Sequence, residues 1–177
     1  MMNIIKITMV ILVIFTLVGC NSKENLLNES SIYPENILET VSISSNKEII
    51  IYNDVDTEGI STAFLAMGAT NLGNQIVKTG SILNTNLDTE VSYHVTNHKW
   101  NDNTNTSIIY GLINDPKITK LIISDLNKQN FIELFPHIKE KGERKLWYAT
   151  LDKPFTVFNL GIKAYNAEGK LIYHFSP

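Results

Sequence analysis

Hydrophobic and polar positions alternate in strand-like patterns through most of the chain. KEIIIYND (47–54) is a β-branched run that ends in turn-forming residues, and three similar runs follow it at short intervals: STAFLAM (61–67), NQIVKTGSIL (74–83) and TEVSYHVT (89–96). Such runs, bounded by Gly, Asn, Asp or Pro, are typical of β-strands. Their spacing predicts an antiparallel meander.

The second half of the chain shows the same pattern more clearly. SIIYGLI (107–113) and ITKLIIS (118–124) flank NDPK, in which Asp115 and Pro116 favour a turn, so these runs predict a hairpin. NFIEL (130–134) and RKLWYAT (144–150) predict two further strands. FPHIKEKGE between them is predicted as a loop or at most one helical turn.

The C-terminal runs predict a closing hairpin. One face of FTVFNLGIKAYN (155–166) is apolar: Phe158, Leu160, Ile162 and Ala164. One face of KLIYHF (170–175) is apolar too: Leu171, Tyr173 and Phe175. Gly169 lies where the loop needs a left-handed residue. Five or six short strands at these intervals favour a β-sandwich of immunoglobulin-like architecture.

One short helix at most is expected before the first strand. In YPENILETV, Pro34 suits the first helical position, and Ile37, Leu38 and Val41 would form one apolar stripe. The predicted fold is therefore all-β, an antiparallel β-sandwich that is immunoglobulin-like in its C-terminal half. Residues 34–177 are predicted to form this single domain, and the Asn-rich stretch 97–107 is the one candidate for an internal boundary.

The N-terminus carries an apolar run of another kind. Lys6 precedes ITMVILVIFTLVG (7–19), which has no charge and is too short for the about 20 residues of a membrane-spanning helix. This shape is typical of a signal peptide. The run ends at Cys20, the only cysteine in the chain.

Leu17, Val18, Gly19 and Cys20 resemble the lipobox of bacterial lipoproteins. The resemblance implies that residues 1–19 are a signal peptide, that cleavage falls between Gly19 and Cys20, and that the Cys20 thiol carries a diacylglycerol. The protein would then be anchored to the cell membrane and face away from the cytoplasm. The alternative is an unmodified Cys20 in an uncleaved anchor or an ordinary signal peptide.

Composition after the leader predicts an acidic, disulfide-free domain. Loss of residues 1–19 removes one lysine and no acidic residue, so the net charge of −3 becomes about −4. An acidic domain is not expected to bind nucleic acid, whose affinity for proteins comes largely from Lys and Arg. The polar segment 20–33 is predicted to be a flexible tether that holds the domain off the bilayer.

Four motifs resemble a group of small, uncharacterised surface lipoproteins from low-GC Gram-positive bacteria: NKEIIIY, GISTAFL, IYGLINDPKITKLIIS and LGIKAYNAEGKLIY. Together they cover most of the chain after the leader. They consist of turns and core positions, so the resemblance implies a surface location and carries no catalytic residues.

One acidic segment partly matches a calcium loop. Asp54, Asp56, Glu58 and Gly59 occupy positions one, three, five and six of an EF-hand. Leu65 stands at position twelve, where a bidentate Glu is needed, and the flanking runs predict strands. A carboxylate-rich hairpin turn is therefore the favoured interpretation, and no metal site is predicted here.

His94 and His98 are the second candidate for metal chemistry. The run VSYHVT predicts a strand with Val91, Tyr93 and Val95 turned inward. Positions four apart on a strand are separated by about 13 Å, which one metal ion cannot bridge directly. No third ligand is evident nearby, so no metal site is predicted.

Three aromatic residues could contact a sugar or a peptide. Trp147 and Tyr148 are adjacent, so a strand would turn one into the core and leave the other as amphipathic surface cover. Trp100 lies in a polar segment and is the better candidate for a ligand contact.

Enzyme signatures are not found in the sequence. It has no G-x-S-x-G, phosphate-loop or H-E-x-x-H motif, and no cofactor is predicted. The sequence therefore favours a non-enzymatic binding or interaction module whose partner is an envelope protein or cell-wall material. The alternative is a cell-wall hydrolase that uses a pair of carboxylates.

Overall fold

The computed structural model describes residues 23–57, 59–68, 74–79, 89–126, 132–141 and 144–176. The lipobox, with the predicted cleavage and lipidation at Gly19 and Cys20, lies outside the described residues, and so does Glu58. The described residues form one α-helix and twelve strands: α1 (Lys23–Glu29), β1 (Ile37–Ser44), β2 (Lys47–Asp54), β3 (Gly59–Ala66), β4 (Gln75–Lys78), β5 (His94–Lys99), β6 (Asn105–Ile113), β7 (Lys120–Asp125), β8 (Ile132–Leu134), β9 (His137–Lys141), β10 (Arg144–Leu151), β11 (Leu160–Tyr165) and β12 (Leu171–Phe175).

These strands form three antiparallel sheets. The first sheet has the order β1-β2-β3-β4 and is the predicted meander. The middle sheet has the order β5-β6-β10-β9, and the last sheet has the order β12-β11-β7-β8. With β5 as strand A, the middle sheet corresponds to the ABED sheet of an immunoglobulin domain, and β7, β11 and β12 correspond to its CFG sheet, to which β8 adds an edge strand. The predicted all-β fold with an immunoglobulin-like C-terminal half is confirmed.

The three sheets stack face to face with two apolar cores between them. Side chains of β2 and β3 meet those of β6 and β10 between the first and middle sheets. Side chains of β6 and β10 also meet those of β7 and β11 between the middle and last sheets. The middle sheet is therefore covered on both faces, which explains the continuous apolar run in β6. Ile108, Tyr110 and Leu112 face the first sheet, whereas Ile109 and Ile113 face the last.

The predicted flexible tether is wrong over residues 23–33. Lys23–Glu29 form α1, and the buried side chains of Leu27 and Ile32 lie on the side of the first sheet away from the middle sheet. There they cover Ile50 and Tyr52 of β2, whose own apolar run is thus buried on both faces. Burial of apolar area outweighs the polar composition of the segment.

The prediction of at most one short helix before the first strand is confirmed by α1, but the placement of that helix near Pro34 is wrong. Only Pro34–Asn36 form a single 3-10 turn, and β1 follows it directly. A register shift between Ile37 and Glu39 bulges the strand, and Leu38 consequently packs into the same core as Val41. The bulge thus produces the three-residue spacing that resembles a helical stripe.

Two predicted connections in the second half are corrected. β6 pairs with β5 and β10, while β7 pairs with β8 and β11, so the NDPK segment crosses between sheets and does not close a hairpin. Residues 97–107 hold the β5–β6 hairpin, which is continuous through the middle sheet, and no domain boundary lies there. In addition, β9 forms where the sequence predicts a loop. Its edge position leaves most of its side chains exposed, so its sequence shows only a weak apolar pattern.

The closing hairpin forms as predicted, with local differences. β11 pairs with β12, and Gly169 adopts a left-handed φ of 78°. Leu160, Ile162 and Ala164 are buried, but Phe158 lies in the preceding 3-10 turn and is 87% exposed. A register shift between Ala164 and Tyr165 turns Leu171 outward.

Candidate functional site

A cleft of about 230 Å³ opens between the first and middle sheets. It lies where β2 begins and where the β5–β6 turn begins, and we call it the inter-sheet cleft. Its lining consists of carboxamides (Asn46, Gln75 and Asn101), a charged pair (Lys47 and Asp102), aromatic rings (Phe64, His98 and Trp100) and the smaller or aliphatic residues Ala66, Met67, Gly68 and Val77.

The charged pair ties the two sheets together at the mouth of the cleft. Lys47 Nζ lies 2.5 Å from Asp102 Oδ2 and also donates to Thr104 Oγ1 at 2.9 Å. Asp102 Oδ1 accepts hydrogen bonds from the backbone N–H and the hydroxyl of Thr104. Hydrogen bonds from Lys47 and Thr104 hold the pKa of Asp102 well below its usual range. Asp102 therefore stays ionised and is unsuited to donate a proton near neutral pH.

Three aromatic rings form the wall of the cleft. The His98 ring stacks on Phe64 at 4.5 Å between centroids and meets the edge of Trp100 at 4.6 Å. Burial, and then the nearby charge of Lys47, lowers the pKa of His98. The imidazole is consequently neutral at pH 7, with one ring nitrogen as donor and the other as acceptor.

Trp100 does not offer the open ring face expected of a stacking platform. Its side chain is only 4% exposed, and its Nε1 donates to Thr106 Oγ1 at 2.8 Å. Lys47 Nζ lies 5.2 Å from the centre of the ring. Trp100 therefore shapes the wall of the cleft, while the neighbouring polar groups remain the better ligand contacts.

His94 and His98 lie on the same face of β5 and point toward the first sheet. The His94 ring meets the edge of Tyr110 at 5.6 Å, and burial lowers the pKa of His94. Tyr93 and Val95 pack into the opposite core against the last sheet, so the predicted alternation is confirmed. No group of three His, Cys, Asp or Glu side chains among the described residues is arranged to hold a metal ion.

The acidic segment after β2 is a hairpin turn, as favoured from the sequence. Asp54 Oδ1 accepts from the backbone N–H of Asp56 at 3.1 Å, and Asp54 pairs with Gly59 across the turn. Leu65 is fully buried within β3. Strands therefore stand where an EF-hand needs its two helices.

Trp147 and Tyr148 point to opposite faces of β10, yet both are buried. Trp147 packs toward the last sheet, and its Nε1 donates to the carbonyl of Ser92 at 3.2 Å. Tyr148 packs toward the first sheet and stacks on His137 at 5.0 Å. The expected role of one of them as surface cover is wrong, because the middle sheet has a neighbour on each face.

Two further clefts lie elsewhere in the described part of the molecule. One, of about 490 Å³, lies between β1 and the end of β10, and Asp152 is the one carboxylate in its lining. The other, of about 150 Å³, lies beside β11 and has no carboxylate in its lining. Thus none of the three clefts is lined by the two carboxylates that a glycosidase needs. Over the same residues, the structure contains no helix with the length and apolar character of a membrane span.

Comparison with protein-family models, with curated proteins and with solved structures finds no match for this chain. The roles of the cleft residues therefore follow from geometry alone. Sequence patterns point to Trp100 and His98 but miss Asn46, Gln75 and Lys47. These residues lie in or beside strands of the first sheet, and only the stacking of that sheet brings them to the β5–β6 turn.

Proposed function

We propose that this protein is a lipid-anchored, non-enzymatic binding module on the outer face of the cell membrane. In this proposal Cys20 carries a diacylglycerol, and the inter-sheet cleft holds a small polar group of cell-wall material. The observation that carries the choice of site is the set of three carboxamides beside a neutral imidazole in one cleft.

The cleft chemistry supports an uncharged ligand rich in hydroxyl and amide groups. Each carboxamide can both donate and accept hydrogen bonds, and His98 adds one donor and one acceptor. Lys47 and Asp102 neutralise one another, so the cleft has no strong preference for an ion. At about 230 Å³ it is smaller than the clefts that hold drug-sized ligands. A single acetamido sugar ring is the size of ligand that we propose.

The cleft chemistry gives no support to the alternative of a hydrolase. A glycosidase needs a carboxylic acid with a raised pKa and a second carboxylate facing it. Among the described residues, Asp102 is the only carboxylate in the lining of the inter-sheet cleft, and its pKa is lowered. We therefore propose binding without hydrolysis.

Mass spectrometry of the protein purified from membranes tests the anchor. The expected N-terminal peptide begins at Cys20 and carries the mass of a diacylglycerol. A peptide that begins at Met1, or a free thiol at residue 20, would contradict anchoring through Cys20.

Calorimetric titration with N-acetylglucosamine oligomers and with soluble muropeptides tests the cleft. Gln75 and Asn101 bond to each other at 2.9 Å on the exposed side of the cleft, so the double variant Q75A/N101A should keep its fold. Loss of these ligand contacts should weaken binding by about tenfold, since each hydrogen bond contributes about 0.5–1.5 kcal/mol. N159A, which lies outside the lining, is the matched control. No measurable binding to any of these sugars, or equal affinity in all three proteins, would rule out the proposed site.

A further inference from the structure

The predicted lipid would hold one particular end of the molecule at the membrane. Cys20 precedes Lys23 by three residues, so their Cα atoms lie within about 11 Å of each other. Lys23 begins α1 and pairs with Glu48, the second residue of β2. The end of the first sheet that contains the β1–β2 turn is therefore next to the anchor. We call it the anchor-side end.

Contacts between the sheets show that the same end continues across the stack. Lys47 and Gln75 of the first sheet bond to Asp102 and Asn101 of the β5–β6 turn. The β5–β6 turn thus belongs to the anchor-side end of the middle sheet.

Contacts with the middle sheet show which end of the last sheet is on the anchor side. Ser107 Oγ, close to the β5–β6 turn, donates to the carbonyl of Lys153 at 2.6 Å. Lys153 in turn lies 3.0 Å from Asp125 at the end of β7. The end of β7 and the β10–β11 connection are consequently on the anchor-side end as well.

Three exposed apolar side chains lie together at this end of the last sheet. Phe158 is 87% exposed, Val157 is 44% exposed and Leu126 is 36% exposed. The backbone N–H of Leu126 donates to the carbonyl of Asn159 at 2.7 Å, which ties the end of β7 to the turn that contains Val157 and Phe158. We call them the apolar tip. Sheets stack about 10 Å apart, so the tip lies about 20 Å across the end face from the first sheet.

We propose that the apolar tip inserts into the interfacial layer of the bilayer. This inference rests on the proposed lipidation of Cys20, which brings the anchor-side end to the membrane. The protein then has two attachment points, the lipid beside α1 and the tip on the last sheet, and the inter-sheet cleft lies between them. A bilayer is the occupant that fits, because only residues 20–22 separate the predicted lipid from Lys23, and because an aromatic side chain with an adjacent aliphatic one suits the membrane interface.

A fluorescent probe at position 158 tests the insertion. The native, lipidated F158C variant is labelled with the environment-sensitive dye NBD and reconstituted into phosphatidylethanolamine–phosphatidylglycerol vesicles. Cys20 is then a thioether, so the dye enters only at residue 158. The matched control is V55C, because Val55 is 57% exposed in the β2–β3 turn at the opposite end. We expect a blue shift and quenching by doxyl-labelled lipids at residue 158, with neither at residue 55.

Three results would overturn this picture, and they can be told apart. Water-like emission at residue 158, with one dye per chain, contradicts insertion but leaves the anchor intact. Equal quenching at residues 55 and 158 means that the domain lies on its side, which also contradicts the proposal. A second dye attached at residue 20 shows a free thiol there and contradicts the lipid anchor itself.

Discussion

The indole Nε1 of Trp147 donates a hydrogen bond of 3.2 Å to the carbonyl oxygen of Ser92 directly over Gly111. A Cβ atom at Gly111 would lie 1.8 Å from that oxygen and 2.8 Å from Nε1. The backbone N–H of Ser92 also donates to the carbonyl of Leu112 at 2.9 Å. The segment before β5, which runs antiparallel to β6, can therefore approach β6 this closely only because residue 111 carries no side chain.

Replacement of Gly111 by alanine should strongly destabilise the fold. The added methyl group must displace the Ser92 backbone and break the bond to Trp147, so we expect a loss of about 3 kcal/mol in the free energy of unfolding. Urea denaturation followed by tryptophan fluorescence measures it. Gly169→Ala is the comparison, since its Cβ meets nothing within 4 Å and only its left-handed φ opposes the change, by about 1 kcal/mol. Equal losses in the two variants would contradict the close contact at Gly111.

Replacement of Leu27 by alanine tests whether α1 packs against the first sheet or belongs to a flexible tether. Leu27 is buried against the first sheet, and its truncation should lower the free energy of unfolding by about 2–3 kcal/mol. Asn28 is exposed on the same helix, and N28A should change the free energy of unfolding by less than about 0.5 kcal/mol. If L27A proved as neutral as N28A in urea denaturation, α1 would not be part of the folded domain.

The stability should fall between pH 7.5 and pH 5.5. Burial lowers the pKa of His94 and of His98, so in the folded protein they bind protons only at a lower pH than histidines in the unfolded chain, which titrate near about 6.5. As the pH falls through that value, the unfolded chain binds protons that the folded protein does not, and the free energy of unfolding decreases.

The variant H94F/H98F isolates this effect. Phenylalanine keeps the ring contacts with Tyr110 and Phe64 but does not titrate. His137 and His174 are present in both proteins, and carboxyl groups titrate near about 4, below this window. Urea midpoints at the two pH values should differ less in the variant than in the wild type. An unchanged difference would assign the pH dependence to other groups.

Asn97 fastens the β10–β11 connection to the middle sheet. Its Oδ1 accepts from the backbone N–H of Phe155 and its Nδ2 donates to the carbonyl of the same residue, both at 2.9 Å. N97A should therefore lower the free energy of unfolding by about 2 kcal/mol. N159A removes one exposed side-chain hydrogen bond, to Thr156, and should change the free energy of unfolding by less than about 0.5 kcal/mol. Similar midpoints for the two variants in urea would show that Asn97 does not hold this connection.

Local sequence patterns located most strands well. β2 occupies the predicted residues, and β11 turns Leu160, Ile162 and Ala164 into the core as their alternation indicates. These features depend on side chains only two residues apart and on turn formers such as Gly169. Both act within a few residues, so one sequence is enough to reveal them.

Patterns failed where contacts between sheets decide the structure. The apolar run of β6 fits a hairpin as well as a strand that is covered on both faces, and periodicity does not distinguish them. The bulge at Leu38 imitates a helical stripe, and β9 owes its strand conformation to pairing with β10. The cleft was missed for the same reason, because Lys47 and Asp102 are far apart in the chain.

By itself the sequence determined the all-β class and the positions of most strands, and it predicts a lipoprotein-like leader. Alternation and turn residues act within short stretches of chain, so one sequence is enough to reveal these strands. Only the tertiary structure decided that three sheets stack, that α1 packs against the first of them, and that carboxamides, His98 and an apolar tip share the anchor-side end. Those arrangements arise from burying both faces of the middle sheet at once, which joins residues that no local pattern connects.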